Sequence, residues 1–241
     1  MSAQTVAPGR ALDWVVEGSK ALLVNPLLYA GMGLLVIVLN FIPLVNMIVG
    51  LAMPIFQAGV IYALHEQAQG REVKFEHLFR GFTTEGKLVP LILLCVPAIA
   101  AGVAIVAVLF IFMGGAIMGL LATSDGGNSI STGGSVLAGG SALIGILLTF
   151  IIAALVGMAM FFAVPRVMLD NIDPIEALKE SFVASLQNWL ALLLLVALGF
   201  GIVIVCLIPI IGWLLLLVLF IFGVCLGASI QYQAYRDVFA G

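Results

Sequence analysis

Four long stretches that lack Lys, Arg, Asp and Glu constrain this chain more than any other feature. They cover residues 21–64, 88–124, 126–165 and 181–235. A helix needs about 20 mostly apolar residues to cross the hydrocarbon core of a bilayer. The composition agrees, because 63% of the residues are hydrophobic and 9% are charged, against roughly 45–50% and about 25% in soluble domains. The chain is therefore predicted to be an all-α, polytopic membrane helical bundle.

The first and last stretches are each long enough for two spans. Proline disfavours continuation of a helix, and the tips predicted at 40–46 and 208–212 each contain one. The two middle stretches hold one span each and flank a Gly- and Ser-rich segment, 124–141, which is the predicted extracytoplasmic loop. We therefore predict six transmembrane helices in a single membrane domain that covers residues 1–241.

The basic residues orient these spans. All nine Lys and Arg residues then lie on one side, whereas Asp125 is the only charge on the other. Because Lys and Arg collect in cytoplasmic loops, both termini are expected to be cytoplasmic. The residues before the first apolar run lack the basic region of a cleavable signal peptide, so the first span is expected to stay in the mature protein.

Three segments on the charged side repeat an amphipathic helical pattern. The apolar faces hold Leu12, Val15, Val16, Leu22 and Leu23; then Phe75, Leu78, Phe79 and Phe82; then Ile175, Leu178, Phe182, Ser185, Leu186 and Trp189. The polar faces hold Arg10, Asp13, Glu17 and Lys20; then Glu72, Glu76 and Arg80; then Glu176, Lys179, Glu180 and Gln187. Such helices can lie in the headgroup layer. The alternative is that each extends the next span into the cytoplasm.

Three units, each an amphipathic helix followed by two spans, account for nearly the whole chain. The predicted units are residues 10–66, 72–170 and 173–238. Matching residues in the first and third are Asn25 and Asn188, Glu17 and Glu180, and, with three residues inserted, Pro43 and Pro209. An even number of spans per unit makes the repeats parallel, so a pseudo-threefold bundle is predicted.

The third amphipathic segment has the clearest helix start. Asp173 is the predicted N-cap, a proline follows at the first helical position, and Glu176 could complete a capping box. Before it, the apolar run is expected to end at Pro165. Arg166 and Asp170 are spaced to pair on one helical face, as a surface interaction of little energetic weight.

Motifs inside the spans favour packing roles. The GxxxG sequences at 115–119 and 223–227 allow close helix approach; packing within the chain is favoured, with a homodimer contact as the alternative. The mid-span amide of Gln57 is expected to form an interhelical hydrogen bond, with a ligand role as the alternative. The three cysteines lie inside apolar runs without paired spacing and are interpreted as packing residues: Cys95, Cys206 and Cys225.

No cofactor, metal or catalytic site is predicted. His65 beside Glu66 and His77 beside Glu76 match no metal-ligand spacing. An intramembrane enzyme needs nucleophiles, carboxylates or metal ligands within its spans, and this chain is predicted not to be an enzyme. A net charge of -3 gives no broad basic field, so a nucleic acid partner is not expected.

Several residues resemble an uncharacterised family of bacterial inner-membrane proteins, a domain of unknown function, and more distantly the membrane domain of some glycerophosphodiester phosphodiesterases. They are Pro54, Gly59, Tyr62, Gly70, Phe75, Leu78, Phe79, Gly81 and Phe82, followed by FFAVP and by DPIEALKESFVASLQNW. The resemblance covers residues 12–235 and departs from the family at 164–166, where a more apolar sequence is expected. It implies six helices and a bacterial cytoplasmic membrane, and transfers no catalytic residue.

The sequence favours a non-catalytic membrane protein that acts as a membrane-embedded adaptor or assembly factor. Its expected partners are membrane lipids and a protein on the cytoplasmic face, and a homo-oligomer is possible. The alternative function is a transporter or channel for a small neutral or apolar solute, in which Gln57 and the Gly-rich helices line a cavity.

Overall fold

The computed structural model describes residues 3–124 and 132–240, and every regular element in these ranges is a helix. The helices are α1 (Arg10–Val24), α2 (Pro26–Asn40), α3 (Val45–Ala68), a short 3₁₀ helix (Phe75–Phe79), α4 (Arg80–Thr83), α5 (Leu88–Ser124), α6 (Thr132–Phe161), α7 (Ala163–Asp170), α8 (Pro174–Gln187), α9 (Trp189–Cys206) and α10 (Ile211–Phe239). The prediction of an all-α protein is confirmed for the described residues.

Five segments of this helical chain are long and apolar enough to cross a membrane. They are Ile48–Ala68, Leu88–Gly114, Gly139–Asp170, Trp189–Cys206 and Ile211–Phe239. Helices α1 and α2 meet at 102° and count as a sixth span only if they are taken together as one bent pair. The chain is thus a multi-pass membrane protein with five or six candidate spans.

Helix α6 begins inside the segment that the sequence assigns to a loop. It starts at Thr132, so helix covers most of the second half of the predicted loop 124–141. Glycine lowers helix stability in water, but in lipid every backbone polar group must be bonded internally, which favours continued helix. Asp125 and the rest of 125–131 lie outside the described residues.

The chain divides into two compact units. The large unit holds the described residues of 1–95 and 158–241, and the small unit holds residues 96–157. In the small unit, a Cβ on Gly145 would lie 2.6 Å from the Cβ of Phe112, so only glycine permits this approach. Many large apolar side chains of this unit are exposed, including Phe110 and Leu147. Such a surface suits contact with lipid chains.

Helix α10 is central in the large unit, where it packs against α1, α2, α3, α7 and α9. Glycine makes these approaches possible. A Cβ on Gly33 of α2 would lie 2.0 Å from the carbonyl oxygen of Ile221 in α10. Similarly, a Cβ on Gly59 of α3 would lie 2.0 Å from the carbonyl oxygen of Leu78. Close backbone contact between small residues is the usual basis of helix association in membranes.

The two predicted proline tips have the same local geometry. Leu44 and Ile210, which follow Pro43 and Pro209, both have φ of 70°, a conformation that is costly for a bulky residue. Each tip is closed by an equivalent backbone hydrogen bond, from Asn46 to Ile42 (3.0 Å) and from Gly212 to Ile208 (2.7 Å). Helices α2 and α9 therefore end where the sequence predicts, and for the predicted reason.

Candidate functional site

Helix α7 lies inside the large unit and not on its surface. The chain breaks at Phe162 and continues into α7, in which every side chain from Ala163 to Met168 is buried. The apolar stretch therefore does not give way to a surface elbow at Pro165. The prediction that Arg166 forms only a surface ion pair is wrong, because packing of α7 against α3, α8 and α10 covers it.

Arg166 is the centre of a buried ion-pair cluster. Its side chain is 1% exposed, and it donates to Asp170 Oδ2 at 2.5 Å and to Glu180 Oε2. The guanidinium also lies 4.5 Å from the centre of the Phe239 ring, while its Nε has no hydrogen-bond partner among the described residues. A buried cation needs paired carboxylates to offset its desolvation. The pairing of Arg166 with Asp170 that the sequence predicts is confirmed, but its surface location is not.

Two further side chains complete this cluster. The hydroxyl of Tyr235 donates to Asp170 at 2.6 Å, and the buried Nζ of Lys87 donates to the backbone carbonyl of Val167 at 2.7 Å. Burial lowers the pKa of Lys87, and nearby Asp170 opposes that shift. We call Arg166, Asp170, Glu180, Tyr235 and Lys87 the Arg166 cluster. Two cations and two carboxylates balance, and they tie α7 to α8, to α10 and to the start of α5.

The N-terminal segment is held at the same end of the large unit. The amide of Gln4 donates to the carbonyl of Val238 at 2.9 Å. Asn188, at the break between α8 and α9, accepts from the amide of Val6 at 2.8 Å and donates to the carbonyl of Gln4 at 3.0 Å. Sequence analysis marks Asn188 only as a repeat position, because these partners are far apart in the chain.

Helix α1 is joined to the last turn of α10 by a shared carboxylate. Asp237 accepts from the indole Nε1 of Trp14 at 2.7 Å and from Arg10 at 2.6 Å. Trp14 is fully buried, so its N–H needs such a partner. This contact fixes which side of α1 faces the protein.

The two His–Glu pairs singled out in the sequence lie apart from one another in role. His65 contacts Tyr232 (3.3 Å) and Gln69 (2.7 Å), while Glu66 forms a two-point ion pair with Arg71. Over residues 3–124 and 132–240, no group of three possible metal ligands is found.

His77 is a buried packing group. Its ring meets the Tyr62 ring edge to face, with centroids 5.4 Å apart. Burial, reinforced by the charge of Arg80, lowers the pKa of His77. The neighbouring Glu76 is exposed, so the pair does not act together.

Helices α1 and α8 each present three faces. One face packs on the protein, and when Asn25 is aligned with Asn188 its positions coincide: Ala11 with Pro174, Trp14 with Ala177, Gly18 with Ser181, and Leu22 with Ser185. A second face exposes large apolar side chains: Leu12, Val16 and Leu23 in α1, and Ile175, Val183 and Leu186 in α8. The third face is polar. The predicted apolar faces are thus largely exposed, and small residues make the protein contact of α8.

The polar face of α8 differs from the prediction at one residue. Asp173 caps the helix as predicted, since its Oδ1 accepts from the amide of Ile175 at 2.9 Å. Glu176 and Lys179 are exposed. Glu180 is partly buried against Arg166, so it belongs to the Arg166 cluster and not to the solvent face.

The polar and small residues inside the spans do not form the contacts expected of them. Gln57 is half-buried, and no described side chain or backbone group bonds to its amide. A Cβ on Gly223 or on Gly227 would meet nothing within 4 Å, so the expected packing contact is not seen there. The side chains of most of the 115–119 motif lie outside the described residues.

Helices α9 and α10 form an open groove with a volume of about 450 Å³. It is lined by apolar residues and one glycine: Leu194, Ala197, Leu198, Gly201, Ile202, Val205 and Leu215. A transporter of a neutral polar solute is expected to have polar groups around its cavity, and this groove has none in its lining.

No family model, curated protein or solved structure matches this chain. The geometry of the large unit is therefore the basis for its interpretation.

Proposed function

We propose that this chain is a non-catalytic membrane protein that serves as a membrane-embedded adaptor or assembly factor, with α1 and α8 lying in the headgroup layer. One observation carries the proposal. Both helices expose a row of large apolar side chains beside a charged row, while a third face packs on the protein. This arrangement suits a helix that contacts acyl chains and water at once.

The bend between α1 and α2 supports the interfacial position. An α1 that continued the span into the cytoplasm would be nearly collinear with α2, whereas the two helices meet at 102°. Its exposed apolar residues, Leu12, Val16 and Leu23, would then face water. An in-plane α1 gives them a hydrocarbon environment, while Asp13 and Glu17 stay solvated.

Six spans and a repeat of the first and third units belong to the same proposal. The coincidence of buried positions in α1 and α8, the helix breaks at Asn25 and Asn188, and the equivalent turns at Leu44 and Ile210 support it. Extension of the repeat to the second unit, 72–170, remains a prediction.

The cytoplasmic position of both termini and a bacterial inner-membrane location are also proposals. Contacts of Arg10, Arg166 and Lys87 gather cationic residues at one end of the large unit, as the rule for cytoplasmic Lys and Arg expects. The resemblance to an uncharacterised bacterial family is in keeping with this orientation.

The Arg166 cluster supports a holding role over a catalytic one. Arg166 already engages both Asp170 and Glu180, and Tyr235 occupies a further oxygen of Asp170. Carboxylates paired in this way are suited to fixing helices. A rigid end of the bundle would present α8 to a partner in one orientation.

Mass spectrometry of lipids and proteins that co-purify after gentle extraction tests this proposal. One variant carries Ile175→Ser and Leu186→Ser on the exposed apolar face of α8. Its matched partner carries Glu176→Gln and Lys179→Gln on the charged face, and Glu180 is left intact because Arg166 depends on it. We expect the first to lose bound lipid and the second to lose a protein partner. Retention of every lipid and protein by both variants contradicts the proposal.

A transporter or channel is the second candidate, and Gln57 is the observation in its favour. An amide within a span that has no hydrogen-bond partner is costly and often functional. Flux of a small neutral solute into proteoliposomes, compared between the native chain and Gln57→Leu, decides this point. Flux that the substitution abolishes supports transport, and flux no greater than in empty vesicles argues against it.

A further inference from the structure

Helix α2 is too short for an ordinary bilayer. It has 15 residues, which at 1.5 Å per residue gives about 22 Å, whereas a typical hydrocarbon core is about 30 Å thick. Its counterpart α9 has 18 residues, or about 27 Å. Both of the short helices therefore leave a mismatch, and the larger one is at α2.

The fold fixes both ends of α2. At the charged end, the 102° bend to α1 prevents residues of α1 from adding to the height of α2. At the other end, Asn40 turns its Nδ2 back onto the carbonyl of Val36 at 2.8 Å, and the chain reverses at Leu44 with its positive φ. The height of this hairpin is thus set by the structure.

The tip of this hairpin is suited to hydrocarbon and not to water. Phe41 is 72% exposed and Leu44 is 79% exposed, and the exposed amide of Asn46 lies just beyond them. An apolar, exposed tip that lay at the level of the headgroups would face water, so acyl chains or a thinned leaflet must cover it.

The usual ways to absorb such a mismatch are closed to this hairpin. A helix shorter than the bilayer is accommodated by local thinning, by snorkelling of flanking residues or by association with other helices. Tilting only shortens its vertical reach. Snorkelling requires long charged side chains, and residues 21–64 contain no Lys or Arg. Helices α3 and α10 are already its neighbours, and they do not raise the tip.

We infer that the α2–α3 and α9–α10 hairpins thin the bilayer around them, so that the large unit selects phospholipids with short acyl chains. This inference rests on the proposed in-plane position of α1, which defines the level from which α2 starts. The ligand class is a phospholipid whose acyl chains match a hydrophobic height below that of a typical bilayer. Headgroup charge is not part of the selection, since the polar face of α1 balances Arg10 and Lys20 against Asp13 and Glu17.

The experiment uses the full chain in phosphatidylcholine vesicles that differ only in acyl length, from myristoleoyl through palmitoleoyl and oleoyl to erucoyl. The unfolding midpoint is measured in each. We expect the highest midpoint in the two shorter lipids and a steady fall toward erucoyl. A maximum in oleoyl or a longer lipid, or no dependence on acyl length, overturns the inference.

A second measurement does not depend on unfolding. In an equimolar mixture of the shortest and longest lipids, native mass spectrometry of the extracted protein should show several-fold enrichment of bound myristoleoyl lipid, whereas equal binding overturns the inference. A variant with one helical turn inserted after Ile37, which adds about 5 Å to α2, should move the optimum toward oleoyl if it folds. Spin labels on α1 test the interfacial position separately, so a surface-bound α1 with no preference for short lipids refutes the inference alone.

Discussion

The Arg166 cluster predicts an unusual order of stabilities among its variants. The double substitution Asp170→Asn with Glu180→Gln leaves a cation that is 1% exposed without a carboxylate partner. Removal of one side of a buried ion pair costs about 3–5 kcal/mol. Both carboxylate side chains are partly exposed, at 22% and 30%, so water can reach the cluster and we expect a value near the lower end, about 3 kcal/mol.

Addition of Arg166→Met to this double variant should restore stability. Replacement of a buried ionic group by apolar residues of similar size is often neutral or stabilising, so the triple variant is expected to lie within about 1 kcal/mol of the native chain. The loss of the contact between Arg166 and the Phe239 ring, which is worth about 0.5–2 kcal/mol, sets the remaining difference.

Reversible denaturant unfolding in bicelles measures these free energies. Asp13→Asn provides the surface control, because Asp13 pairs with Arg10 where both are exposed, and such pairs contribute about 0–1 kcal/mol. If the triple variant is less stable than the double, or if the double costs no more than the control, Arg166 is not held as a buried cation and the reasoning fails.

Three further substitutions test separate features of the fold. Gly33→Ala should cost about 1–3 kcal/mol, because its Cβ would meet an α10 carbonyl oxygen at 2.0 Å, whereas the control Gly102→Ala, which meets nothing within 4 Å, should be neutral in the same unfolding assay. Ile210→Gly should stabilise by about 1 kcal/mol by relieving its positive φ, while Ile208→Gly should destabilise; the opposite order of melting temperatures refutes the strained turn. Because burial lowers the pKa of His77 below its unfolded value of 6.5, the unfolded chain takes up the proton first, so thermal stability should fall as the pH drops below 6.5, and a His77→Phe variant with an unchanged pH profile refutes that assignment.

The elements of this fold that lipid and proline dictate are readable from the sequence. A run without charges has to become helix in a membrane, so the helices that hold most of 21–64 and 181–235 follow from composition. The tips form at Pro43 and Pro209 because proline cannot continue the helix. Asp173 caps α8 because its side chain can reach an unpaired amide of the first turn.

The Arg166 cluster could not be predicted, because its contacts join distant parts of the chain. The spacing of Arg166 and Asp170 indicates a pair on one helical turn, but the burial depends on α8 and α10 closing over it. Glu180 and Tyr235 come from those two helices. The one signal in the sequence is the departure from the resembled family at 164–166, where a basic residue replaces the apolar residue expected.

The protein-facing side of α8 was hidden for another reason. An apolar row indicates where a helix avoids water, and in a membrane protein that row can face lipid. The contact with the protein is made instead by Ala177, Ser181 and Ser185, since small side chains allow close approach. The spacing of these small residues at one helical face is the signal that identifies it.

The depth of α1 and α8 in the bilayer tests the central claim most directly. Nitroxide labels at Leu12, Val16 and Leu186, one at a time in the full chain, report depth by their accessibility to oxygen and to a water-soluble relaxation agent. All three are expected about 5–10 Å below the headgroup boundary, while labels at Asp13 and Glu176 should be aqueous. Labels that are all aqueous, or a depth that increases steadily along each helix toward its span, would contradict the in-plane position.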